Sequence, residues 1–568
     1  MFANISVYII EQLIYSEKGT TDVWCGQYYG VDSYRIIIAF GGDMFDSTIL
    51  GGTVYDGTLD SGRICDVGIK DGKISVIGDL KDNPTKQAVN ANGYIVTPGF
   101  IDIHSHSDFS VLVDQNAKSK ITQGVTTEVI GNCGMSAAPL IDECKSHIED
   151  LYQEYGIDFN WSSLNEYRAR CEEKGIIHNL VPLIGQGNIR ASVIGYSDRS
   201  PTSEEILRMK TLLKNGMDEG GFGLSTGLIY PPGMYASSKE LTQLASVLSQ
   251  YDGIYTSHMR SEGDNLIEAI KEAIQVGEKN GLRVQISHLK TNGVQNWHKL
   301  EEAFTVIEDA RKRGVDVSAD RYPYTASCTD LDTILPKRFY AGGKDAELKR
   351  LRDKKESALL ENELSSAGNE YWKKVMVSYV GSQKNKCYQG LFLSDIAIKR
   401  NTSPVTALVD LLVEEELKAS GIFFSMSENN LPIILKKPYV MIASDASSRK
   451  TSGVLSKGSP HPRAYGTFPK IFHEYVGNNT LSFEEAVHKM TLMPAAKMGL
   501  TGRGEIKEGA HADIVIIDPA SIKDNATYEN PHQYSEGITM VIVSGDIVFD
   551  NGHFTGKLPG KVLSKNKQ

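Results

Sequence analysis

Short apolar runs alternate with amphipathic stretches along most of this chain. Eight runs have the length and composition of buried strands: 94–103, 126–130, 179–184, 222–226, 254–256, 283–287, 315–319 and 439–444. Between most of them lie stretches with a helical period, such as 203–219, 265–280 and 296–313. Strand–helix repetition at this spacing predicts an α/β fold with a parallel sheet, and eight repeats predict closure into a TIM-like (β/α)8 barrel. An open doubly wound sheet is the competing arrangement, but no Gly-x-Gly-x-x-Gly turn follows the first strand. Both ends of the chain read differently, as short β-elements with turns at Gly51-Gly52, Asp71-Gly72, Gly545 and Asn551-Gly552. They are expected to pair into one small β-sandwich domain, 44–96 with 498–568, beside a catalytic barrel of 97–497. Residues 329–438, between strands seven and eight, exceed what a helix crossover needs and read as an insertion. Within it the Lys/Glu-rich stretch 345–363 reads as a solvated helical segment or lid.

Composition narrows the partners. The 568 residues are 40% hydrophobic, which is ordinary for a globular protein, and the length exceeds one compact core. A net charge of −11 without a basic tract argues against nucleic acid or an anionic membrane as partner. An anionic small substrate would need positive groups gathered at its own site. Seven cysteines without paired spacing point to reduced thiols and a cytoplasmic protein. The first 18 residues lack a basic n-region and are interrupted by Glu11, so no signal peptide is expected, and no apolar run is long enough for a membrane span.

The candidate chemistry sits where the predicted strands end. His104 and His106 follow the first strand two positions apart, on one face of an extended chain, where two neutral imidazoles can grip one metal ion. Gly131-Asn132-Cys133-Gly134 follows strand two, His258 strand five, and His288 with Lys290 strand six. Asp320-Arg321-Tyr322-Pro323-Tyr324 ends strand seven, and Asp445 follows strand eight. All fall at C-terminal strand ends, where barrel enzymes keep their chemistry. Cys133 reads either as a buried structural thiol or as a ligand presented by its flanking glycines. Asp445, an unpaired carboxylate ending a buried strand, reads as a proton carrier or as a helix cap. By strand alternation Lys290 shares the face of His288, and Tyr322 and Tyr324 share that of Asp320. Arg463 has the geometry to grip a carboxylate with two parallel hydrogen bonds. Arg321 reads as a salt-bridged surface arginine. His178, His473 and His511 fall outside the pattern and read as structural or exposed.

Several motifs carry a resemblance. Thr97-Pro-Gly-Phe-Ile-Asp-Ile-His-Ser-His resembles the signature of the amidohydrolase superfamily. Gly131-Asn-Cys-Gly134, Ser225-Thr-Gly-Leu-Ile-Tyr-Pro-Pro-Gly233, His258-Met-Arg-Ser-Glu262, Ser287-His-Leu-Lys290 and His461-Pro-Arg-Ala-Tyr-Gly-Thr-Phe-Pro469 resemble the N-acyl-D-amino-acid deacylase (D-aminoacylase) family. The resemblance covers roughly residues 49–563. It implies one or two zinc ions held by His104, His106, Cys133, His258 and His288, in a cysteine-bridged design. It also implies that Lys290, Tyr322 and Arg463 hold the substrate carboxylate. The expected activity is hydrolysis of an N-acyl-D-amino acid to a carboxylate and a free D-amino acid. Zinc would supply the nucleophile and polarise the carbonyl, and Asp445 would act as base and then acid. The alternatives are a cyclic amidase of hydantoinase or dihydroorotase type, disfavoured by Cys133 and the His-Pro-Arg segment, and a non-catalytic scaffold of the same fold. The chain departs from the family pattern at Gln186, where Gly-His-Gly is expected, and at Cys328, where a serine is expected. Residues 1–43 precede the usual family start and read as an upstream extension.

Overall fold

The computed structural model describes residues 44–365 and 368–567; the 1–43 stretch read as an extension lies outside them. Eight parallel strand positions follow the predicted order: Phe100–Asp102, Val125–Ile130, Asn179–Pro182 resuming as Ile184–Gly185, Gly223–Gly227, Ile254–His258, Arg283–Ile286, Val317–Arg321 and Val440–Ile442. Each pairs with its neighbour in sequence. The third strand is interrupted at Leu183, its first part pairing back to strand two and its second part forward to strand four. Strands two, four, five and seven are buried along their whole length, as strands of a parallel sheet covered on both faces should be, although each carries polar side chains such as Glu128, Ser225, Thr256 and Asp320.

Closure between strands eight and one is different in kind. Its backbone part is one parallel bridge, Ser105 to Ala446, with the Asp445 N–H donated to His104 O at 2.8 Å and the His106 N–H to Ala446 O at 3.3 Å. Side chains supply the rest. Asp102 accepts the Ser444 N–H at 2.9 Å and the Lys120 ammonium at 2.8 Å.

The outer helices follow from local signals. Ser203–Asp218 opens with a capping box between Thr202 and Glu205. Leu266–Asn280 buries Leu266, Ile270, Ala273, Ile274 and Gly277, one stripe at helical spacing, and stops at left-handed Gly281.

One expected strand is two. The apolar run 94–103 divides at Gly99: Ile95–Pro98 joins the sheet of the chain ends, and Phe100–Asp102 begins the barrel. A Cβ at residue 99 would lie 2.1 Å from Thr126 Oγ1, so the crossing between sheets is open only to glycine. Among the described residues the sheet of the ends has nine strands. Ser47–Val54 and Ile95–Pro98 pair in parallel, and Ile514–Ile517 joins Ile95–Pro98 antiparallel. Alternation splits the last strand between two cores: Ile514 and Ile516 pack with Ile49, Val67 and Ile69, whereas Val515 and Ile517 pack with Phe100 and Phe468.

The insertion between strands seven and eight has its own antiparallel sheet of Ser327–Asp330, Val375–Val380 and Ala419–Phe423. Its Lys/Glu-rich part forms the helices Gly343–Arg352 and Lys354–Leu364, which bury Leu348, Leu351 and Leu360 and so are not solvated all round. Among the described residues no helix is long and apolar enough to cross a membrane.

Candidate metal centre and active site

Cys133 stands between two groups of possible metal donors: His104, His106, Cys133 and Asp445 on one side, Cys133, His258 and His288 on the other. The Cys133 Sγ is 3.2 Å from His104 Nε2 and 3.8 Å from His288 Nε2. His288 Nε2 lies 3.0 Å from His258 Nδ1. Asp445 Oδ1 is 3.1 Å from His106 Nε2 and 3.3 Å from His104 Nε2. The side chains predicted at the ends of strands one, two, five, six and eight therefore meet at one place.

The backbone that presents them is bent in specific ways. Strand two ends at Ile130 and turns through Gly131, Cys133 and Gly134, all with positive φ. Ser225 Oγ pins this turn from both sides, donating to Gly131 O and accepting the Gly134 N–H at 3.1 Å. A Cβ at residue 134 would come within 2.6 Å of Gly227 N, so the turn can lie against strand four only as glycine. Cys133, His288 and Asp445 are themselves left-handed, with φ of 53°, 37° and 50°. Non-glycine residues take that region at a cost, and they do so most often at functional sites.

Carboxylates outside the ring of donors orient it. His104 Nδ1 faces Asp320 at 3.3 Å, and the same carboxylate accepts Gln285 Nε2 and the His288 N–H, each at 2.7 Å. Burial pushes the Asp445 carboxyl upward, but Arg463, His104 and His288 outweigh it and hold it well below the usual carboxylate range. Burial likewise opposes the Cys133 thiolate, yet His104 and the other imidazoles carry the thiol well below its ordinary value. His106, against burial, is drawn up to about 9 by Asp445 and Cys133. Negative charge is thus concentrated against imidazole nitrogens, the condition a divalent cation satisfies. The buried His258 Nε2 has no hydrogen-bond partner among the described residues. A thiolate, imidazoles and one carboxylate in this arrangement fit zinc.

The donors open onto a cleft of about 1850 Å3 whose far wall comes from the insertion, including Thr329 and Tyr340. The loop after strand four forms another wall. Arg260 fixes it by donating to Met234 O at 2.9 Å and Ala236 O at 2.8 Å, and Tyr230 OH meets Thr329 Oγ1 at 2.9 Å. Arg463 lies over the Tyr322 ring at 4.7 Å and Lys290 Nζ at 5.9 Å. The buried Tyr322 hydroxyl has no partner among the described residues. Arg463 Nη1 is 2.8 Å from Asp445 Oδ2, and its backbone N–H donates to His461 Nδ1 at 3.0 Å.

The Amidohydrolase family profile matches residues 87–359 and 458–549. D-aminoacylase of Alcaligenes xylosoxydans xylosoxydans is 34% identical over 86% of this chain and 92% of its own length. The crystal structure of N-acyl-D-glutamate deacylase from Bordetella bronchiseptica, complexed with zinc and a phosphonate inhibitor, superposes with a TM-score of 0.79 at 32% identity, covering 92% of this chain and all of that one. The chain belongs to the N-acyl-D-amino-acid deacylase family of amidohydrolases. L-hydantoinase from Arthrobacter aurescens, at 16% identity and a TM-score of 0.53 over 92% of this chain, shares the fold alone.

Some expectations for this family member need correction. Lys290 does reach His288, with Nζ 2.7 Å from Nδ1, but strand six ends at Ile286, so a left-handed turn and not strand alternation brings them together. Arg321 is no surface arginine: it is buried, stacks 4.3 Å over the Tyr322 ring and donates to Tyr324 O at 2.6 Å. His178 is buried against Glu128, whereas His473 is exposed. Cys328 lines the cleft, and its carbonyl accepts Arg463 Nη2 at 3.3 Å. Gln186 opens the helix Gln186–Ile194, buried. The sequence alone assigns no role to Asp320, Glu262 or Lys120. The first two stand inside the segments already singled out, and a carboxylate beside a candidate imidazole ligand was the available signal.

Proposed function

We propose that this protein is a zinc-dependent hydrolase that cleaves N-acyl-D-amino acids to a carboxylate and a free D-amino acid. The observation that carries the reading is the convergence of four histidines and Asp445 on Cys133 at the mouth of a barrel whose relatives, at about a third identity, are deacylases. His104, His106, Cys133, His258 and His288 would hold the zinc, as one ion or two. Bound zinc supplies an acidified water and a polarised amide carbonyl. Asp445, ionised at rest through Arg463, takes the water proton and delivers it to the departing nitrogen. Arg463, Tyr322 and Lys290 hold the α-carboxylate, answering the need of an acidic protein for local positive groups. The six cysteines of the described residues are unpaired, which supports a reducing, cytoplasmic setting.

Paired N-acetyl-D- and N-acetyl-L-amino acids test the reading directly: the D series is hydrolysed, and a preference for the L series overturns it. Dialysis against a chelator abolishes turnover and added zinc restores it; full activity in the chelator would remove the metal from the account. Arg463→Ala raises KM for N-acetyl-D-amino acids by about 10–100-fold, the worth of a charged hydrogen bond. The corresponding α-carboxamides show no such rise. An equal rise for both would place Arg463 away from the carboxylate.

A further inference from the structure

Glu262, in the loop after strand five, has a side chain only 10% exposed, and it meets two of the groups assigned above. Its Oε1 is 2.6 Å from His288 Nδ1 and also contacts the Lys290 ammonium. Lys290 Nζ is itself 2.7 Å from His288 Nδ1. Three groups thus form a closed triangle, and their donor and acceptor capacities do not all agree. A neutral imidazole has one N–H and one lone pair, and an ammonium has donors only. His288 Nε2 faces Cys133 and His258. A ligand there needs its lone pair on Nε2, so Nδ1 must carry the hydrogen. Glu262 can accept that hydrogen. Lys290 cannot: a hydrogen bond from its ammonium to Nδ1 would demand the opposite tautomer, with an N–H aimed into the donor cluster. The ring is held at both nitrogens, Nε2 against His258 at 3.0 Å and Nδ1 against Glu262, on a backbone whose own N–H is donated to Asp320 at 2.7 Å.

We propose that Glu262 is a positioning residue that selects the ligand tautomer of His288 and draws Lys290 off Nδ1, so that one carboxylate oxygen ties a zinc ligand to the carboxylate clamp. This rests on the reading of His288 as a ligand. The test is the apparent zinc affinity of the full chain, measured by competition with a chromophoric chelator. Glu262→Leu weakens zinc binding about 10–100-fold, the usual cost of losing a carboxylate behind a ligand histidine. Glu262→Gln, whose amide oxygen still accepts the Nδ1 hydrogen, stays within about threefold of the parent protein. Adding Lys290→Met to Glu262→Leu recovers about fivefold or more, because the competing donor is gone. Lys290→Met alone leaves zinc binding equal or tighter, which keeps the proposal testable should the leucine variant not fold. Parental affinity in Glu262→Leu, no recovery in the double variant, or weaker binding in Lys290→Met overturns the role of Glu262. His288→Ala separates the two levels. Loss of zinc there leaves the metal reading standing whatever becomes of Glu262, and parental affinity brings down both.

Discussion

Asp445→Asn lowers kcat by about 10²–10⁴-fold, the range for losing a general acid–base group, while the zinc content of the purified protein is unchanged. Asparagine has nearly the shape of aspartate and keeps an oxygen toward His104 and His106, now 3.3 and 3.1 Å from Oδ1. It cannot take a proton from water and return it to an amine. Zinc remains because the thiol and the four imidazoles grouped with it are untouched. The substitution also frees Arg463, which sits 2.8 Å from Oδ2. KM for a carboxylate-bearing substrate therefore holds or falls, and the loss appears in kcat. Metal analysis of the same preparation used for kinetics decides the matter: a variant with kcat near the parent value removes Asp445 from proton transfer, and one that has lost zinc makes it a ligand first.

What could be seen in advance, and what could not, follows from the range of the forces involved. The eight strand positions were legible because each is a local apolar run bounded by polar residues, and the ligand candidates because they stand at the ends of those runs. Where one run served two sheets, the residues 94–103 gave no sign of it except Gly99, whose meaning depends on Thr126 across the gap. The turn at Gly131–Gly134 could be anticipated from its glycines, but the left-handed His288 and Asp445 could not, since histidine and aspartate take positive φ more readily than most residues yet too rarely for residue type to announce it. The insertion showed itself by length alone. Its sheet joins segments around 328, 377 and 421, too far apart for any periodicity to connect. Asp320 and Glu262 escaped for a related reason: a carboxylate that orients a histidine looks in sequence like one that faces water.

Lys120→Met destabilises the protein by about 3–5 kcal/mol near neutral pH, the cost of stripping a buried charge pair of one partner. Lys120 is fully buried, with Nζ 2.8 Å from Asp102 Oδ2, Glu128 Oε1 and Ser444 Oγ and 2.9 Å from Ala446 O. It therefore ties down the residues on either side of Asp445 and does at the barrel seam what a strand ladder does elsewhere. Methionine fills the space but leaves the carboxylates of Asp102 and Glu128 without an ammonium. The pH dependence identifies the cause. Against burial, Lys120 and His178 hold Glu128 down at about 2 from an ordinary 4.5. Its share of stability is present above pH 4.5 and is lost as the pH falls toward 2. In the variant Glu128 keeps His178 but has lost the ammonium, so its carboxyl is held down less strongly and the same acidification costs that protein less. The gap in unfolding temperature between parent and variant is accordingly widest near pH 7 and narrows on acidification below 4.5. A gap independent of pH would assign the loss to packing and leave the seam without its electrostatic explanation. Kinetics on the folded variant carry the argument into the site: a fall in kcat with zinc content retained is expected if the clamp on Ser444 and Ala446 sets the position of Asp445.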